Sequence, residues 1–271
     1  MINTPFLIEA LADESDSVKE AVAEVLGVLG EKSAIKPLIE TLKTTQTKSV
    51  KIRVIRSLGQ LKAKEAIYEI IKCLRDNDEQ VKESATEALG KLGDKQAIPF
   101  IIKVLFDKGD SVREAAAEVL GILKDRSAVA YLIKALKDHY WLVRYRAAVS
   151  LGLLGDKSAV EPLIELLEDS NWSVRWKACQ SLGMLRDPIS IPVLIKALGD
   201  KDWHVRRAAS DALGELKSKE AISALIERLE DKERFVREAA RMALIKIGPP
   251  CLDKLTMALT HPNKYVRGEA P

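Results

Sequence analysis

Apolar positions along this chain return on a helical spacing, and the helices return on a fixed period. Between 143 and 154, the residues Val143, Ala147, Ala148, Leu151 and Leu154 fall on one helical face. Just upstream, Ala128, Val129, Leu132, Ile133 and Leu136 mark one face of an earlier helix, and Asp138 ends it. The pattern predicts a two-helix unit over 125–155. A Val followed by Lys or Arg marks the second helix of every such unit: Val18-Lys19, Val50-Lys51, Val81-Lys82, Val112-Arg113, Val143-Arg144, Val174-Arg175, Val205-Arg206, Val236-Arg237 and Val266-Arg267. The steps between them are 32, six of 31, and 30 residues. A period this strict predicts an all-α solenoid in which each unit buries its apolar face against its neighbours. The units run 1–30, 31–62, 63–93, 94–124, 125–155, 156–186, 187–217 and 218–248. A partial ninth follows from Pro249, giving one array of about eight and a half repeats over 1–271.

Inside the unit the residue types explain themselves. Ser15, Thr47, Asp78, Asn171, Asp202 and Asn263 stand where the second helix begins and are good N-cap types, with Tyr140 in the same place. The small pair Ala147-Ala148 lets helix axes approach closely. Gly27, Gly59, Gly90, Gly121, Gly152, Gly183 and Gly214 stand where the neighbouring helix must near the backbone. Two units depart. The second carries one extra residue in 44–47 and replaces the small pair with Val54-Ile55, a change expected to loosen or re-angle the stack. The eighth carries Arg241 and Ile245 where small residues are expected, then Pro249-Pro250, as at an end open to solvent.

Composition changes this picture little. Lys and Arg total 43 against 40 Asp and Glu, a net charge of +3, which announces no nucleic-acid or membrane partner. Cys73, Cys179 and Cys251 are isolated, odd in number and without C-x-x-C spacing, as in reduced thiols of a cytoplasmic protein. We read them as small core residues. No signal peptide and no membrane-spanning run is expected. No P-loop, zinc spacing, Gly-x-Ser-x-Gly or Rossmann glycine pattern occurs, so no catalytic residue, metal ligand or cofactor is assigned.

The unit over 151–169, with Gly155-Asp156-Lys157-Ser158-Ala159-Val160-Glu161-Pro162-Leu163-Ile164 followed by Val174-Arg175, resembles the short HEAT-like repeat of the phycobilisome-lyase type. The pattern recurs at Gly30-Glu31-Lys32-Ser33-Ala34-Ile35-Lys36-Pro37-Leu38-Ile39 and at Gly93-Asp94-Lys95-Gln96-Ala97-Ile98. The resemblance implies a right-handed superhelix whose second helices line a concave surface. It also implies, as an alternative function, a bilin lyase or chromophore chaperone. Another relative of this kind holds two irons with His-Glu pairs. Here none of His139, His204 or His261 is followed by Glu, so that reading fails.

The Lys or Arg after each Val lies about 100° round the helix, near the buried arc. First helices end in Asp13, Asp76, Asp107, Asp138, Asp169, Asp200 and Asp231. We read the two sets as ion pairs tying repeats together, since a cation near a buried arc needs a partner.

The wheel leaves one face without a packing duty. In repeat 5 it carries Leu142, Tyr145, Arg146, Val149 and Leu153. In repeat 6 it carries Ser173, Trp176, Lys177, Gln180 and Met184, and in repeat 7 His204, Arg207, Ala208, Asp211 and Glu215. Apolar and aromatic residues on a solvated face point to a contact surface. Trp141, Trp172 and Trp203 sit at the edge of the buried arc, where they either seal the loops or join this face. Upstream the same face carries Glu83, Glu87, Glu114 and Glu118, with Glu20 and Glu24 in repeat 1 and Arg53 and Arg56 in repeat 2. That acidity favours a basic or mixed protein segment and argues against a nucleic-acid backbone along the groove. The expectation is a non-catalytic scaffold that takes a protein or peptide in the groove of repeats 5–7. End-to-end self-association through the C-terminal repeat is a further expectation. Nucleic-acid binding stands last, behind the bilin role.

Overall fold

The computed structural model describes residues 4–252 and Thr256. Most of the partial ninth repeat, with Asn263, Val266-Arg267 and His261, therefore falls outside the described residues, as does the self-association read from it. The chain divides into two compact units, residues 1–131 and 132–271.

The first unit holds α1 (Thr4–Glu9), α2 (Asp16–Leu29), α3 (Ile35–Thr44), α4 (Lys48–Gln60), α5 (Ile67–Cys73), α6 (Glu79–Leu92), α7 (Ile98–Val104) and α8 (Asp110–Leu123). The boundary falls inside α9 (Val129–Ala135). The second unit continues with α10 (Trp141–Leu154), α11 (Val160–Glu165), α12 (Trp172–Leu185), α13 (Ile191–Ala197), α14 (Trp203–Glu215), α15 (Ile222–Arg228) and α16 (Arg234–Ile247). The fold is all-α, with no strand among the described residues. Within each unit the even-numbered helices pack side by side, and α1, α3, α5, α7, α11, α13 and α15 each pack on the even-numbered helix that follows.

The apolar period sets this layering. Leu132, Leu163 and Leu225 of the first helices are fully buried, as are Leu151, Leu182 and Leu213 of the second. Gly183 and Gly214 stand where the next helix crosses. A Cβ on Gly183 would lie 3.0 Å from the Ala212 Cα, and one on Gly214 2.9 Å from the Ala243 Cα. Any side chain there forces the helices apart, so the glycines are there for close approach. The second helices before α16 end on a left-handed residue: Gly30, Gly93 and Gly155, but also Lys62, Lys124, Arg186 and Lys217. A basic side chain at that position accepts the backbone cost and favours the helix C-terminus.

The Asp and Lys/Arg sets form the expected staples. Within the second unit Arg144 pairs with Asp169, Arg175 with Asp200 and Arg206 with Asp231, at 2.6–2.7 Å from Nε to Oδ2. Lys51–Asp76 and Lys82–Asp107 are the counterparts in the first unit. Each of the three guanidiniums also reaches back: Arg175 donates to the Asp169 and Ser170 carbonyls of its own turn. The aspartate likewise does two things. The Asp200 Oδ1 accepts from the Asp202 amide at 2.8 Å as well as from Arg175 at 2.9 Å. One carboxylate thus fixes the turn of its own repeat and receives the cation of the repeat before.

Some local expectations need correction. Asp78, Asn171 and Asp202 do cap their helices, but Ser15 and Thr47 make no side-chain cap bond. The Thr47 hydroxyl donates to Asp16 instead, at 2.6 Å. The extra residue of repeat 2 falls in a longer α3 and the 45–47 turn, and Val54 and Ile55 are fully buried. Ala208, placed on the open face by the wheel, is buried because its methyl is too short to leave the crevice.

Cys179 and Cys251 are buried and Cys73 is half-buried, all as free thiols. Burial pushes the Cys73 thiol up to about 11 and raises Cys179 and Cys251 as well. Thiolate is the reactive form. We expect Cys73 and Cys179 to react with a disulfide reagent at about pH 8 only after denaturant is added. Rapid labelling of either in the native protein would contradict this placement.

Candidate functional site: an aromatic ribbon on the second helices

The second-helix face of the second unit carries a chain of rings. Trp141 stands 6.4 Å from Tyr145, and Tyr145 stands 6.3 Å from Trp176. Trp176 is 6.3 Å from Trp172, and Trp172 stacks on His204 at 4.5 Å. His204 stacks in turn on Trp203, whose other contact is Phe235 at 5.5 Å. Seven rings therefore run across α10, α12, α14 and α16. All four tryptophans of the chain belong to this ribbon. Pairs at such separations add about 0.5–1.5 kcal/mol each beyond the area they bury. The rings hold one another in place, yet Trp172 remains 39% exposed and Phe235 57%. The ribbon is ordered by its own contacts and still offers surface.

Most of the residues expected on this face reach it. Leu142, Tyr145, Arg146, Val149, Trp176, Lys177, Gln180, His204 and Asp211 are half-buried, while Leu153, Met184 and Arg207 are exposed. Trp141, Trp172 and Trp203 join the ribbon through ring contacts with Tyr145, Trp176 and Phe235. Phe235 was missed. It stands one period after His204, so the same wheel carried into repeat 8 would have found it.

Three cations edge the rings. The Arg146 guanidinium lies 6.0 Å from the Tyr145 centroid, and Arg207 lies 5.9 Å from Phe235. The Lys177 ammonium lies 4.5 Å from the Trp176 centroid and 5.4 Å from Tyr145. It donates to the Gln180 side chain at 2.6 Å. Burial, and secondarily the like charge of Arg146, hold its pKa below the ordinary 10.5. An unfolded chain then takes up protons that the folded one gives away, so stability rises with pH through the window below 10.5. Wild type should gain stability relative to Lys177→Met between about pH 7 and about pH 10, read by urea unfolding. Parallel profiles would contradict the half-buried cation.

Next to the ribbon, α12 and α14 enclose a depression of about 570 Å³ lined by Gln180, Met184, Arg186, Ala208, Asp211 and Glu215. Burial raises the Asp211 carboxyl above its ordinary range. Glu215 is held low by hydrogen bonds from Lys246 and Arg186. The hollow is thus apolar on its floor and mixed in charge at its rim.

In the first unit, Glu87 and Glu118 line a depression of about 350 Å³ between α6 and α8, while Glu83 and Glu114 are half-buried on the same helices. Nearer the N-terminus, Arg53 pairs with Glu24 at 3.2 Å and Ser49 bonds to Glu20, so the repeat 1 carboxylates are partly answered. Among the described residues no group of three or more His, Cys, Asp or Glu is placed to hold a metal ion. No helix among them is long and apolar enough to cross a membrane.

No curated protein matches the chain in sequence. Among solved structures, YibA of Escherichia coli is similar at 24% identity and a TM-score of 0.69, covering 92% of this chain and 93% of that one. Kap95p, solved with RanGDP, is similar at 15% identity and a TM-score of 0.69. It matches 99% of this chain, which spans only 44% of Kap95p. The CpcE–CpcF phycocyanin lyase of Nostoc sp. PCC7120 matches at 23% identity and a TM-score of 0.43, covering 98% of this chain and 92% of that one. The likenesses to YibA and Kap95p speak to fold alone. The family profile for HEAT repeats matches residues 4–90, 69–152, 129–210, 160–245 and 191–270. With the repeat period, the paired helices and that match in agreement, the chain belongs to the HEAT-repeat family.

Proposed function

We propose that this protein is a non-catalytic scaffold whose second-helix face, centred on α10, α12 and α14, binds an extended segment of a partner protein. The observation that carries the reading is the ribbon of seven rings. Rigid aromatic side chains with cations at their edges are the usual anchors of protein interfaces. They present large area at low entropy cost. A chain of HEAT repeats offers such a face without needing a central cavity. Kap95p, of similar fold, binds a protein, RanGDP. The bound segment lies across the helices, with Tyr145 and Trp176 as its main contacts, Leu142, Val149, Leu153 and Met184 as apolar flanks, and Arg146, Lys177 and Arg207 beside them.

The test is retention from a nuclease-treated lysate of the source organism by the wild-type chain and by a Tyr145→Ala/Trp176→Ala variant. A protein kept by the first and lost by the second is expected. If both keep the same set, binding is elsewhere and the groove reading fails.

A further inference from the structure

Lys177 is the one cation of the ribbon whose surroundings call for something from outside. Its ammonium is half-buried between two aromatic faces, at 4.5 and 5.4 Å. Among the described residues no carboxylate lies within ion-pair distance of it. Its polar contact is the neutral Gln180 amide, and the charged group that influences it is Arg146, of the same sign. Elsewhere in the second unit the buried cations are answered: Arg175 and Arg206 each hold an aspartate on two bonds. A chain that pairs its buried charges so regularly leaves Lys177 as an exception, and a desolvated cation without a counter-ion is costly. The cation–π contacts return only part of that cost.

We propose that Lys177 is the anion receptor of this groove: it takes the carboxylate of an Asp or Glu in the bound segment, next to an aromatic or proline residue that lies on Trp176 and Tyr145. The inference rests on the groove reading and makes it specific. A single carboxylate fits better than a nucleic-acid backbone because the face beyond Lys177 mixes acids with cations already paired to them. Asp211, Glu215 and Glu238 stand on the next two helices, paired with Arg207, Lys246 and Arg241. A run of phosphates would meet them, whereas a peptide can carry one acid at Lys177 and uncharged or basic residues beyond.

The experiment is selection of a random heptapeptide display library on the wild-type chain, on Lys177→Met and on Lys177→Glu. Wild type should enrich peptides with Asp or Glu beside Trp, Tyr, Phe or Pro. Lys177→Met should keep the aromatic preference and lose the acidic one, and Lys177→Glu should turn it toward Lys or Arg. For the best peptide, Asp→Asn or Glu→Gln should weaken binding to wild type by about tenfold or more, the scale of one charge-assisted hydrogen bond. The same change should leave binding to Lys177→Met nearly unaltered, which isolates the pair. Peptides enriched without an acidic preference, or with one that survives in both variants, overturn the carboxylate assignment and leave the groove reading standing. Enrichment of no peptide by wild type overturns both. Binding of an oligothymidylate at about 150 mM salt that is lost in Lys177→Met would assign the cation to phosphate and overturn the proposal. Lys177→Met should melt no lower than wild type, so a lost preference cannot come from a lost fold.

Discussion

Replacing Asp200 by Ala is expected to destabilise the second unit by about 3–5 kcal/mol, the largest single effect of any substitution considered for this fold. Asp200 accepts two bonds from Arg175, at 2.7 and 2.9 Å, and a third from the Asp202 amide. Arg175 is 5% exposed. Without Asp200 its guanidinium keeps only the bonds to its own turn and stays buried with donors unmet. The turn before α14 also loses the acceptor that sets it. Asp200→Asn, which retains shape and some acceptors, should cost less, about 1–3 kcal/mol. Glu168→Gln, at the exposed Lys196–Glu168 pair, should change stability by no more than about 1 kcal/mol. Urea unfolding of the three variants checks this order. A near-neutral Asp200→Ala would mean the staples do not hold the repeats.

The same staple gives a pH dependence. Burial pushes the Asp200 carboxyl upward, but the hydrogen bond from Arg175, the Asp202 amide and the Arg175 charge more than offset it. Its folded-state pKa lies below the ordinary 3.8. The stabilisation is therefore complete above that value and is lost as pH falls through the folded pKa. Asp231, Asp107 and Asp76 are lowered in the same direction. Acid unfolding of the array should be shallower in Asp200→Ala than in wild type.

Trp176→Ala is expected to weaken binding of the partner segment by about 30-fold or more, the scale of an interface hot spot. Trp176 touches Tyr145, Trp172, His204 and Lys177, so its loss removes the middle of the ribbon. The chain should remain folded, because Trp176 is only half-buried and the leucine core beneath does not depend on it. Trp176→Phe should recover most of the binding. Circular dichroism with a binding isotherm separates the two effects. Unchanged affinity in a folded Trp176→Ala would remove the ribbon from any role.

The architecture was legible because one period governs everything that packs. Val, Ala pair, Leu and Gly recur at fixed offsets, and each offset has one geometric meaning. The Asp and Arg sets were legible for the same reason: a cation near a buried arc can be answered by the turn aspartate of the next repeat, and where repeat 2 lacks that aspartate Lys19 pairs with Asp16 of its own helix instead. The ribbon was half legible. A helical wheel places Tyr145 and Trp176 on the open face, but it gives no distance between neighbouring helices. It therefore could not say that Trp172 would lean onto His204, or that Trp203 would reach Phe235. Ala208 failed for a related reason, since the wheel knows direction and not side-chain length. Ser15 and Thr47 failed because residue type alone does not fix the cap. Thr47 finds a carboxylate 31 positions away, and Ser15 gives its amide to Asp13. Lys177 was legible as a groove residue, but its lack of a counter-ion shows only once the neighbours are in place.

All four tryptophans lie on the ribbon, so tryptophan emission reports on this face and nowhere else in the chain. The measurement is a titration of the chain with a tryptophan-free synthetic peptide taken from the retained partner or from the display selection. Emission and acrylamide quenching are followed beside the anisotropy of a label on the peptide. Binding in the groove predicts a saturable shift of emission and protection from acrylamide, with the same midpoint as the anisotropy. A peptide that binds by anisotropy while tryptophan emission and quenching stay unchanged would place the contact off the ribbon and contradict the function proposed for it.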